Sequence, residues 1–128
     1  MTVSETNESE EKFKEWLDHL HQKLTLLNKR YMFRRPSEVF EFLVDNSSLI
    51  NLVEKAYGNI REYFPSAKLI LEVFNDPEAN GEKELVIFIH TDLHPDEAFN
   101  KLEHLDEYWW LNATSDTAKN LSIHVEFA

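Results

Sequence analysis

Two histidines bracket an aspartate in His90-Thr91-Asp92-Leu93-His94. Alternate residues of an extended chain point the same way, so His90, Asp92 and His94 form one ligand set if the extension persists that far. Imidazole and carboxylate suit zinc and similar divalent ions, and a metal-dependent enzyme could be built on them. His104 or His124 is available to complete such a site, but no spacing places either nearby. A local reading competes: His94 stands directly before Pro95, where it can cap a helix, leaving His90 and Asp92 as solvated side chains.

Lys29-Arg30-Tyr31-Met32-Phe33-Arg34-Arg35 interleaves cations with aromatics, the composition of a small single-stranded RNA contact in which bases stack and guanidinium groups meet phosphates. Arg30, Arg34 and Arg35 would carry it. The same cations answer the negative end of a helix dipole and can pair with acids elsewhere in the chain. Glu103, Asp106 and Glu107 lie on the polar side of a helical stripe, so they read as a solvated face rather than as an acid–base pair. Phosphate-loop, dinucleotide, nucleophile-elbow and zincin motifs are all missing, and only Gly58 and Gly81 are glycines. No cofactor is expected.

The chain has 128 residues, 42% of them hydrophobic and 12% aromatic, enough for one core. It contains no cysteine, which removes disulfides, thiolate metal sites and cysteine nucleophiles and favours a reducing compartment. Its polar, acidic start lacks the basic and apolar regions of a signal peptide, so a cytoplasmic location is expected. The longest apolar run, Leu85 to Ile89, is too short to span a membrane. The net charge of −11 repels phosphate backbones and anionic lipid and favours basic protein partners.

These residues need elements to position them. Residues 1–8 read as a disordered acidic tail and 9–128 as a single domain. Phe13, Leu17, Leu20, Leu24, Leu27 and Tyr31 follow a four-three-four-three-four spacing, a heptad seam on a helix that ends before Arg35-Pro36. That seam either docks on the chain's own core or pairs with a second copy. Val39, Phe40, Leu43 and Val44 indicate a second helix, and Leu49 to Phe64 a third that runs through Gly58. Lys68 to Phe74 and Glu84 to Thr91 predict a hairpin around the turn-forming stretch Asn75 to Gly81. Pro95 opens a fourth helix reaching about Leu111, a polar loop from Asn112 to Lys119 follows, and Leu121 to Phe127 alternates as a strand. The expected fold is α+β: N-terminal helices, then a ββαβ unit whose three strands make a small mixed sheet, the last parallel to the second. Trp109 continues the apolar stripe of the fourth helix, which leaves Trp110 at its edge as a partner-facing aromatic.

The segments Arg61-Glu62-Tyr63-Phe64-Pro65-Ser66-Ala67, Leu69-Ile70-Leu71-Glu72-Val73, Glu84-Leu85-Val86-Ile87 and Thr91 to Ala98 stand in this order. With Leu105-Asp106-Glu107-Tyr108-Trp109-Trp110-Leu111 and the closing strand, they resemble a group of small uncharacterised bacterial proteins over roughly residues 46 to 127. The Trp109-Trp110-Leu111 ending is the most specific element. The resemblance implies the helix-ββαβ order and transfers no activity.

Three functions follow as expectations. The first is a non-enzymatic protein–protein interaction module with an acidic surface, using Phe13, Leu17, Leu20, Leu24, Leu27 and Trp110 to bind a protein partner or to form a homo-dimer. The second is the metal-dependent enzyme of His90, Asp92 and His94, and the third is local RNA binding through residues 29–35.

Overall fold

A computed structural model of the chain describes residues 3–75, 78, 81–113 and 120–128. Four principal helices, α1 (Val3–Arg30), α2 (Pro36–Asp45), α3 (Leu49–Tyr63) and α4 (Pro95–Leu105), accompany one sheet. Its strands are β1 (Met32–Phe33), β2 (Lys68–Asn75), β3 (Lys83–Thr91) and β4 (Leu121–Phe127), in the order β1-β2-β3-β4. The fold is α+β, but the sheet has four strands where the sequence suggested three. Two residues are too few to show a period of two, and Met32-Phe33 sits inside the basic segment, so its strand character is masked. β1 runs parallel to β2, with Met32 opposite Ile70, and the Arg34 N–H extends the pairing to the Leu71 carbonyl at 2.9 Å. The chain order is therefore αβααββαβ among the described residues.

β3 lies inside the sheet, antiparallel to β2 and parallel to β4. The ends of the β2–β3 turn are Asn75 and Gly81, the latter at φ 78°, a region open to glycine without strain; positions 76, 77, 79 and 80 lie outside the described residues. Positions 114–119 of the polar loop before β4 also lie outside them, as do Met1 and Thr2 of the expected tail. α1 begins at Val3, within that tail.

Leu69, Leu71, Val73, Leu85, Ile87, Ile89, Leu121 and Ile123 share the sheet face that packs against the helices. Leu20, Leu24, Leu27 and Tyr31 from α1 enter the same core, with Val39 and Leu43 from α2, Val53 and Ile60 from α3, and Ala98 and Leu105 from α4. The opposite sheet face carries Arg34, Glu72, Phe88, His90, His124 and Glu126, which the strand registers bring side by side.

After α4 the backbone widens into a π-helical turn over Asp106–Trp110 before a last α-helical turn, α5 (Leu111–Ala113). A π turn inserts one extra residue per loop of hydrogen bonds, so the buried position after Leu105 moves from four residues on to five. Trp110 is consequently the buried tryptophan and Trp109 is only partly buried. This corrects the expectation of a partner-facing Trp110.

Candidate functional site

α1 divides sharply at Leu20. From that residue onward its seam is core, whereas every residue from Glu8 to His19 is exposed, whichever side of the helix it occupies. About 12 residues at 1.5 Å each leave some 18 Å of helix projecting beyond the body. Of the seam residues named from sequence, Leu20, Leu24 and Leu27 therefore dock within their own chain, and Phe13 and Leu17 do not. Phe13 is 59% exposed, Leu17 41% and the adjoining Trp16 47%. The Phe13 and Trp16 rings stack at 6.0 Å, making one aromatic plate on the projecting segment.

At about 100° per residue, Phe13, Trp16, Leu17 and Leu20 occupy one arc of the helix, while Glu8, Glu11, Glu15 and Asp18 occupy another centred about 170° away. Between Phe13 and Leu20 the exposed stripe carries no acid, and Glu10 stands in line with Leu17 at its free end. The stripe leads along α1 into a groove of about 480 Å³ between α1 and the start of α2, whose apolar lining includes Leu24, Phe33, Pro36 and Phe40. Phe40 is itself 46% exposed. An apolar plate and an apolar groove thus adjoin on one side of the molecule, an arrangement suited to burying another protein's side chains. The sequence marks the seam but not the point where the body stops covering it, and the groove depends on β1 turning the chain into α2.

Arg34, a candidate for nucleic-acid contact, instead grips Glu126 through both terminal guanidinium nitrogens and also reaches Glu72 at 3.2 Å. Its guanidinium lies 5.5 Å above the Phe88 ring. Hydrogen bonds to Glu126 raise the Arg34 pKa, and the same contact lowers that of Glu126, with His90 assisting. Arg35 pairs with Glu72 and Glu38 and donates to the Val73 carbonyl at 2.6 Å, closing the edge of β2 beyond the short β1. Arg30 stacks over Tyr57 at 5.0 Å. The basic segment is held largely by its own chain.

The structure does not bring His90, Asp92 and His94 to one point. Strand geometry ends at Thr91, whose hydroxyl accepts the Leu93 N–H at 3.1 Å and turns the chain toward α4. His90 Nδ1 faces Glu126 at 3.1 Å on the sheet, and His94 caps α4, its Nδ1 accepting the Asp96 N–H at 3.3 Å. No group of three potential metal-ligating side chains gathers among the described residues. His90, linked through Glu126, is instead a neighbour of Arg34, a union of two candidate regions that their separation in sequence conceals.

No helix among the described residues is long and apolar enough to cross a membrane. The chain matches no family model, no curated protein and no solved structure.

Proposed function

We propose that the protein is a non-enzymatic interaction module that engages protein through the projecting half of α1. One observation carries this reading: a helical segment exposed on all sides presents Phe13, Trp16 and Leu17 together, with Glu8, Glu11, Glu15 and Asp18 turned away. Short isolated helices are marginal in water, and exposed aromatic plates of this kind lower their free energy when another apolar surface covers them. The acidic far side of the helix keeps the protein soluble and steers basic surfaces toward it.

Affinity capture from the native cell, followed by identification of the bound chains, tests the reading. Leu17→Glu places a charge in the stripe without entering the core, so the variant should fold normally and retain less than a tenth of the captured protein. Equal capture by the variant and the parent would reject α1 as the docking face.

A further inference from the structure

We propose that the surface which covers this stripe belongs to a second copy of the chain, paired antiparallel so that each Phe13–Leu17 segment enters the other's groove between α1 and α2. The proposal rests on the docking role just assigned to α1 and names its occupant.

Both halves of the contact lie on one helix. At about 100° per residue, Phe13, Leu17, His21, Leu24 and Asn28 fall within an arc of about 80°. The first two are the exposed apolar residues, and the last three line the groove. A surface that carries a knob at one end and a recess at the other, on the same face, is self-complementary under a two-fold axis. Setting Leu17 of one copy level with Leu24 of the other also sets Phe13 level with Asn28, where Phe33 and Pro36 close the groove. The axis then passes beside Leu20 and His21.

Charge selects the same direction. At the free end of α1 Glu10 lies on the paired face, and the other end of the helix carries on its flanks Lys29 and Arg30, which make no ion pair among the described residues. Antiparallel pairing brings the acidic end of each helix alongside the basic end of the other and opposes the two helix dipoles. Parallel pairing would set acid beside acid in a chain of net charge −11. Glu8, Glu11, Glu15 and Asp18 stay on the outer side, where solvent screens them from the second copy.

The chain has no cysteine, so a single introduced thiol reports the geometry without background. Position 21 lies at the two-fold axis and can satisfy disulfide geometry, whereas two copies of position 13 would stand roughly 22 Å apart along the helices. His21→Cys should give a covalent dimer on mild oxidation, and Phe13→Cys should remain monomeric. Light scattering of the parent chain should show the mass rising from 15.2 kDa toward twice that value with concentration, and Leu17→Glu should shift the midpoint at least tenfold upward. A parent that stays monomeric at millimolar concentration, or a Phe13→Cys variant that cross-links as readily as His21→Cys, overturns the antiparallel pair. If that monomer nevertheless captures another protein through Leu17, only self-pairing falls; if it captures nothing, the docking role of α1 falls with it.

Discussion

Arg34 and Glu126 meet across 92 positions of sequence through a two-pronged ion pair that ties the β1 segment to the far edge strand. The pair spans the sheet face remote from the main core, with Glu72 and His90 on either side and Phe88 beneath the guanidinium. Both partners are about one-third exposed or less, so the interaction is screened less than an ordinary surface pair.

Glu126→Gln should destabilise the protein by about 1–2 kcal/mol at neutral pH, between the values for exposed and fully buried pairs. Glu126 has a lowered folded-state pKa, so its contribution is present above the ordinary carboxylate range and disappears as pH falls through the folded-state value. Denaturant titrations of parent and variant should therefore differ at pH 7 and converge in strong acid. A difference that persists unchanged in acid would assign the loss to packing instead of charge.

Much of the framework was legible because its signals are periodic. The α1 seam, the β2 and β3 apolar runs and the alternating β4 each repeat at the spacing of the element they form. What escaped was non-periodic or long-range. Met32 and Phe33 form a strand only because β2 offers an edge, and Arg34 finds Glu126 only because β1 and β4 flank the same sheet. The candidate site was half legible: the heptad spacing identified Phe13 and Leu17, but the same spacing continues through Leu20 and Leu24, which the body buries. Hydrophobic periodicity states which face of a helix is apolar and is silent on what covers it.

The π turn gives the tryptophans distinguishable energies. Trp110→Ala empties a core position and should cost about 3–5 kcal/mol. Trp109 is only partly buried, and Trp109→Ala should cost less than half as much. Thermal or denaturant unfolding of the two variants decides between this arrangement and a regular α-helix, which predicts the reverse ranking.

Arg35 adopts a left-handed backbone at φ 49°, the only non-glycine residue to do so among those described, where the chain turns from β1 into α2 at Pro36. Arg35→Ala removes the contacts to Glu38, Glu72 and Val73 and keeps the backbone strain, so it should cost about 1 kcal/mol or more. Arg35→Gly loses the same contacts but relieves the strain, and it should be more stable than the alanine variant by up to about 1 kcal/mol. An alanine variant as stable as the glycine one would show that this turn is not strained.

The division of α1 at Leu20 separates stability from binding, and two leucines seven residues apart on the seam test it. Leu24 is 3% exposed, and Leu24→Ala should cost about 2–5 kcal/mol through lost burial and the cavity left behind. Leu17 is 41% exposed and is not one of the buried core residues, so Leu17→Ala should change the stability of the isolated chain by no more than about 0.5 kcal/mol. Measured at low concentration, where self-pairing is absent, the two values should differ at least fourfold. Raising the concentration should then stabilise the parent more than Leu17→Ala, because association adds to folding only where the stripe is intact. Equal costs at low concentration would mean that the first half of α1 folds back onto the body, and the exposed stripe would lose its role.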